Sequence, residues 1–119
     1  MQDFRRLRVW SKAHRLTLRA YQVTRQMPSD ERYELSRQLR TAASSIPSNL
    51  AEGCGRGSDA DFRRFVLIAN GSASELEYHL LLARDLGYIS KDEHTPLRSL
   101  TIEVKRMLTA LANKIGASG

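Results

Sequence analysis

The chain has 119 residues, of which 41% are apolar and 27% are charged, and it carries three prolines and one cysteine. This composition excludes a disordered or fibrous chain, and it predicts one globular domain, residues 1–119, with an apolar core. No apolar run approaches the roughly 20 residues of a membrane-spanning helix, no signal core follows the charged N-terminal stretch, and a lone cysteine forms no internal disulfide, so we expect a cytoplasmic protein.

The positive charge is concentrated in one segment. The net charge is +6, and residues 1–26 carry seven cations and one anion, while the rest of the chain carries twelve of each. The seven cations are Arg5, Arg6, Arg8, Lys12, Arg15, Arg19 and Arg25. A basic segment on a neutral body is typical of a surface that meets a polyanion, RNA or DNA, or of a solvated face, and both interpretations stay open.

Helical periodicity predicts four helices and no strand. The first covers about residues 4–26. The second covers about residues 30–52, with Ser29 as its N-cap and Pro47 in its interior. A glycine-rich turn, residues 53–57, ends it.

The last two helices have clear end signals. The third covers about residues 58–86, with Ser58 as its N-cap and Gly87 after its end. The fourth covers about residues 91–115 and has two candidate starts: a capping box of Ser90 and Glu93, or Thr95 as N-cap before Pro96. Connections this short join antiparallel neighbours, so the sequence predicts an all-α, up-down-up-down four-helix bundle.

One face of the first helix is basic. Arg8, Lys12, Arg15 and Arg19 follow spacings of four, three and four residues, which places them in one narrow stripe of a helix. Together with Arg5, this stripe is the candidate nucleic-acid-binding surface.

The apolar surface of the first helix is wide, roughly 200° of the circumference. Both a thick contact inside the monomer and an interface between subunits account for this width, and we favour the interface. The third helix is apolar in nearly every direction, which agrees with a position between two bundles. The predicted oligomer-interface residues are Val9, Leu16, Ala20, Val23, Leu67 and Ile68.

The stretch SSIPSNLAEGCGRGS, residues 44–58, combines a proline with three glycines. Because Pro47 has no N–H, we expect a kink, with the hydroxyl of Ser44 or Ser45 bonded to the carbonyl freed near Ala43. The glycines follow a helix and not a strand, so they predict a bundle corner and not a phosphate-binding loop.

Small residues in the middle of the second and third helices predict that these helices approach closely, Gly71 included. Six polar residues flank them: Arg37, Arg40, Asn49, Glu52, Asn70 and Glu75. They form either a buried network across the two helices or an ordinary surface, and we favour the network.

No catalytic or metal site is expected. No sequence spacing pairs a histidine base with the Cys54 thiol, since His14, His79 and His94 belong to three different helices. Glu75 and His79 are too few for a bundle di-iron site. We therefore expect no enzyme, no cofactor and no small-molecule substrate.

Residues 38–90, QLRTAASSIPSNLAEGCGRGSDADFRRFVLIANGSASELEYHLLLARDLGYIS, strongly resemble the four-helix-bundle proteins related to the 23S rRNA intervening-sequence protein, also called the S23 family. The first and last helices resemble theirs as well. The resemblance implies small cytosolic bundles that form homopentameric rings. It extends to the accessory variability protein of diversity-generating retroelements, which partners a reverse transcriptase and nucleic acid. The motif residues Arg40, Pro47, Asn49, Glu52, Gly53 and, on the third helix, Gly71 look architectural.

The sequence thus predicts a non-enzymatic, homo-oligomeric scaffold, a pentamer by the resemblance, whose basic first helices contact RNA or another polyanion. The alternative is an interaction module that docks a different protein on its apolar helix faces.

Overall fold

The structure is a computed structural model that describes residues 2–27 and 33–118, without the side chains of the last two. It contains a short 3-10 turn, Phe4–Arg6, and four helices: α1 (Arg8–Arg25), α2 (Tyr33–Cys54), α3 (Asp59–Asp85) and α4 (Lys91–Ser118). Within these ranges there is no strand, and the predicted all-α class is confirmed. The predicted cap Ser29 and the first residues of the second helix lie outside the described residues.

The helices pack in a square, 46 × 20 × 19 Å overall, in which α1 contacts α2 and α4, and α3 contacts the same two helices. Their contacts pair residue numbers in opposite order, as an antiparallel bundle requires. Between α1 and α2, Thr17 meets Ala43 and Thr24 meets Arg40. Helices α2 and α3 meet through Ser45–Ser72 and Gly53–Phe65. Helices α3 and α4 meet through Asn70–Thr109 and Glu77–Lys105.

The prediction that the first helix runs unbroken from residue 4 is wrong, because a 3-10 turn, Phe4–Arg6, precedes α1. The Asp3 carboxylate accepts from the Arg5 N–H at 3.0 Å and caps the 3-10 turn, and Leu7 then has an extended backbone (φ −76°, ψ 124°). The Gln2 N–H donates to the Cys54 carbonyl at 3.2 Å, which ties the start of the chain to the end of α2. The break therefore accompanies a tertiary contact that helix periodicity does not contain.

The predicted signals at the ends of α3 are confirmed. The Ser58 hydroxyl accepts from the Asp61 N–H at 3.2 Å. Gly87 has φ +79°, a conformation that favours glycine, and its N–H donates to the Arg84 carbonyl at 2.9 Å.

The start of α4 is settled in favour of Ser90. Its N–H donates to Glu93 Oε1 at 2.8 Å, and its hydroxyl accepts from the Glu93 N–H at 3.0 Å, a complete capping box. The alternative cap, Thr95, lies inside the helix, where its hydroxyl donates to the Lys91 carbonyl at 3.0 Å.

The apolar row of α1 belongs to the monomer core, which corrects the predicted interface. Val9, Leu16, Ala20 and Val23 are all buried among the side chains of the bundle. The physical reason is the square packing: α1 faces both α2 and α4, so two neighbours cover an arc that is too wide for one. These four residues are not available to a second subunit.

Helix α2 continues through Pro47, and the carbonyl that the proline leaves without a donor is that of Ala43. The predicted partner, a hydroxyl of Ser44 or Ser45, is wrong. Instead, the Thr17 hydroxyl of α1 lies 3.0 Å from the Ala43 oxygen and 2.9 Å from the Ala13 oxygen. The proline thereby creates an acceptor that joins α2 to α1, while the kink itself stays a prediction.

Thr17→Val should lower the free energy of unfolding by about 1–3 kcal/mol, because it keeps the shape of the side chain but leaves the buried Ala43 carbonyl without a partner. Thr101→Val is the matched control. Thr101 is also buried, but its hydroxyl bonds only the Leu97 carbonyl in its own helix. Urea unfolding measures both variants, and equal losses would contradict the role assigned to Pro47.

The predicted close approach at Gly71 is also wrong. A Cβ at Gly71 would have no neighbour within 4 Å, because this residue lies on the exposed face of α3. The close contact of small residues involves Ser72, whose hydroxyl oxygen lies 2.5 Å from that of Ser45. The glycine that backbone packing requires is Gly53, where a Cβ would lie 2.8 Å from the Cβ of Phe65.

The six polar residues do not form the predicted network across α2 and α3. Arg40 instead joins α2 to α1: its Nε donates to the Thr24 hydroxyl at 2.8 Å, and its guanidinium lies over the Tyr21 ring. Asn49 donates to the Ser45 carbonyl of its own helix at 2.7 Å and to the Ser45 hydroxyl at 3.2 Å, and this hydroxyl contacts Ser72, which gives Asn49 an indirect link to α3. The others make exposed contacts or reach α4: Arg37–Glu34, Glu52–Arg56 and Asn70–Thr109, with Glu75 exposed.

Candidate nucleic-acid interface

The break before α1 shapes a basic groove. Because the chain turns at Leu7, the 3-10 turn and the first half of α1 face the same concavity, which has a volume of about 460 Å³. We call it the basic groove, and its lining is Arg5, Arg6, Leu7, Arg8, Ser11, Lys12 and Arg15. Five cations therefore surround one shallow depression.

Aromatic contacts hold the 3-10 turn in place. The Phe4 and Trp10 rings lie 4.9 Å apart, and the His14 ring stacks on Trp10 at 5.0 Å and nearly parallel. The Arg5 guanidinium lies over the Phe4 ring at 5.4 Å. These contacts fix the turn against α1 and so place Arg5 and Arg6 beside the helix stripe.

Two carboxylates partly neutralise the basic groove. Glu103 Oε2 lies 2.9 Å from Lys12 Nζ, and Asp3 Oδ1 lies 3.7 Å from Arg5 Nε. The remaining guanidiniums, of Arg6, Arg8 and Arg15, are exposed and have no ion-pair partner among residues 2–27 and 33–118. Three positive charges are therefore available to an external anion.

The sequence identified most of this groove but not all of it. Four of the five predicted residues line it: Arg5, Arg8, Lys12 and Arg15. Arg19 is exposed further along α1 and does not line it. Arg6 was missed, because a continuous helix would place it off the stripe, whereas the 3-10 turn brings it in. Its position next to Arg5 in a basic run was the only available signal.

An apolar strip remains exposed on α3. Leu67 and Ile68 are 45% and 42% exposed, and Tyr78 and Leu81, further along the helix, are 58% and 38% exposed. We call these four residues the α3 strip. It contains the part of the predicted oligomer interface, Leu67 and Ile68, that the monomer leaves accessible.

The glycine turn lacks the features of an anion site. Its cavity is only about 110 Å³. The cation of the turn, Arg56, pairs with Glu52 at 2.8 Å and lies over the Phe65 ring. Burial, together with the charge of Asp3, raises the pKa of the Cys54 thiol, which favours the unreactive protonated form.

The described residues contain neither a candidate metal site nor a candidate membrane span. Within residues 2–27 and 33–118, no three His, Cys, Asp or Glu side chains are grouped closely enough to hold a metal ion. None of the described helices has the length and apolar character needed to cross a membrane.

Comparisons with known proteins agree with this architecture. A family model described as 23S rRNA-intervening sequence protein matches residues 5–110. A crystal structure from Bacteroides thetaiotaomicron, of a protein with unknown function from the S23 ribosomal protein family, is similar with a TM-score of 0.80 and 25% identity, covering 87% of this chain and 97% of that chain. A comparison with curated proteins gave no match. The predicted family is confirmed, and the relation to the retroelement accessory protein stays a prediction.

Proposed function

The chain belongs to the 23S rRNA-intervening sequence protein family, and on this premise we propose that it is a non-enzymatic, cytoplasmic scaffold that assembles with copies of itself and binds nucleic acid, RNA first, in the basic groove. The observation that carries the proposal is the set of three guanidiniums, of Arg6, Arg8 and Arg15, that lack a protein anion in one groove. Arginine matches phosphate oxygens with two hydrogen bonds at once, which favours phosphate over other anions.

Assembly would use the α3 strip. Its exposed apolar side chains lie along one helix, and Gly71 between them leaves room for a neighbouring helix to approach. A pentamer, which the family resemblance implies, would present five basic grooves. A long nucleic acid that occupies several grooves binds more tightly than one groove allows, because later contacts are intramolecular.

Light scattering and filter binding test the two parts of this proposal. We expect a particle of several times 13.5 kDa, fivefold for a pentamer. We also expect retention of a structured RNA at low salt, with log affinity falling linearly with log salt by about 0.7–0.9 for each phosphate contact. A monomer in solution would contradict the assembly, and absent or salt-independent retention would contradict the nucleic-acid site. DNA of equal length is the comparison that shows whether RNA is preferred.

A second candidate function is the docking of a different protein. The observation that favours it is the same α3 strip, since an exposed apolar helix face suits either a second copy or another partner. A monomeric mass together with nuclease-resistant capture of one protein would favour this alternative. Capture that nuclease abolishes would favour the scaffold.

A further inference from the structure

A second groove lies between the C-terminal half of α3 and the first turns of α4. Its volume is about 310 Å³, at the lower end of the roughly 300–1,000 Å³ typical of small-molecule sites. It shares no residue with the basic groove. We call it the α3–α4 groove, and the residues that matter to the argument are Glu77, Tyr78, Leu81, Arg84, His94 and Arg98.

One wall of the α3–α4 groove is apolar. Tyr78 and Leu81 are three residues apart on α3, so their side chains are neighbours, and both retain large exposed fractions. On the α4 side, His94 is only 3% exposed, and Arg98 follows it one turn later. The groove therefore combines an apolar surface with a buried imidazole and a guanidinium.

The charges of the α3–α4 groove do not cancel. Glu77 accepts from Lys105 Nζ at 2.8 Å, and Arg84 donates to Asp85 Oδ1 from two nitrogens, at 3.1 and 3.0 Å. Arg98 has neither an ion pair nor a hydrogen bond from its side chain to any residue in the described part of the chain. One positive charge is thus left for an external anion, and it lies beside His94.

The state of His94 agrees with a site that is short of negative charge. Burial lowers the pKa of His94, the charges of Arg84 and Arg98 lower it further, and Asp85 opposes them. Burial is the main reason that the neutral imidazole is favoured, and the two guanidiniums that add to it would also attract an anion. An anion in the groove would offset these two guanidinium charges.

We propose that the α3–α4 groove binds a small organic anion, whose apolar part lies on Tyr78 and Leu81 and whose carboxylate or phosphate accepts hydrogen bonds from Arg98 beside His94. The size of the groove fits a compact ligand with one ring. The apolar wall predicts that an inorganic anion alone binds poorly. The site shares no residue with the basic groove, but it shares Tyr78 and Leu81 with the α3 strip, so a bound ligand and a second subunit would compete for these two side chains.

Phenyl phosphate is the probe, and NMR of the three histidine rings is the readout. We expect a saturable shift of the His94 resonances at fixed pH, with a smaller shift of His79, whose ring lies 5.8 Å from the Tyr78 ring, while His14 on α1 serves as the internal reference. Inorganic phosphate and phenol, each alone, should bind at least tenfold more weakly. Equal shifts of all three rings would indicate a non-specific effect and overturn the proposal. If inorganic phosphate binds as tightly as phenyl phosphate, the proposed contact with Tyr78 and Leu81 is wrong.

Two matched variants locate the anion. Arg98→Gln should weaken phenyl phosphate binding about tenfold, because a charge-assisted hydrogen bond is lost. Arg106→Gln makes the same charge change on the exposed surface of the same helix, outside the groove, and should leave the affinity within twofold. If the two variants bind equally well, the assignment of Arg98 is wrong. Since both positions are exposed, neither change is expected to unfold the bundle.

Discussion

Gly53→Ala is expected to lower the free energy of unfolding by about 2 kcal/mol. The new Cβ would lie 2.8 Å from the Cβ of Phe65 and 3.1 Å from Cδ1 of Phe62, both on α3. A Cβ is fixed by its backbone, so the two helices must separate, and overpacking of this kind costs about 1–3 kcal/mol. The higher helix propensity of alanine offsets about 1 kcal/mol. The expected net loss of about 2 kcal/mol therefore corresponds to a steric cost of about 3 kcal/mol, the upper end of that range.

Gly71→Ala is the matched control for that experiment. The substitution is the same and the site is also helical, but a Cβ there has no neighbour within 4 Å. The propensity gain then acts alone, and we expect about 1 kcal/mol of added stability. Urea unfolding should be recorded at two protein concentrations, because the apparent stability of an assembled protein depends on concentration. A Gly53→Ala protein as stable as the wild type would refute the close contact at this corner.

Gly71→Ala carries a second readout, because Gly71 lies among the α3 strip residues. If another subunit packs on this strip, the added methyl group enters the interface, and the mass measured by light scattering should fall at limiting concentration. The variant then stabilises the monomer and weakens the assembly. An unchanged mass together with the gain in stability would place the subunit contact away from Gly71.

Sequence reasoning succeeded where the cause is local. Ser58, Gly87 and the pair Ser90–Glu93 act on backbone groups within a few residues, so their spacing is sufficient to predict the helix ends. The family resemblance also predicted the four-helix class. The glycine-rich segment joins α2 to α3, as predicted, and the glycine that close packing requires there is Gly53, at the end of α2.

The failures have non-local causes. A helical wheel gives the width of the apolar face of α1, but it does not tell how many neighbours cover that face, and two neighbours cover it here. The partner of the Ala43 carbonyl is Thr17, 26 positions away in the chain, whereas the prediction considered only neighbouring serines. The break at Leu7, which brings Arg6 into the basic groove, accompanies a hydrogen bond between Gln2 and Cys54. Each of these three features involves a contact between segments that are distant in the sequence, which local patterns do not predict.

Reversing two charges in the basic groove is expected to have the largest effect on function, and this prediction rests on the proposed nucleic-acid site. The double variant Arg8→Glu/Arg15→Glu removes two guanidiniums that have no protein partner among the described residues. If each contacts a phosphate, RNA affinity should fall about 100-fold near physiological salt, and the slope of log affinity against log salt should decrease by about 1.4–1.8. Both positions are exposed, and a glutamate at the first residue of α1 is favourable to the helix dipole. The variant should therefore remain folded.

The control is Arg19→Glu/Arg25→Glu, which makes the same change of charge on the same helix but outside the basic groove. Filter binding over a salt series, with circular dichroism for helix content and light scattering for mass, compares the two variants. If the groove is the site, the control loses about tenfold or less, since only the general field of the helix changes. Equal losses would mean that the whole basic face of α1 acts as a diffuse surface, which would refute the groove. A fall in mass with the groove variant would instead mean that α1 takes part in assembly, because the α3 strip is untouched by either pair of changes.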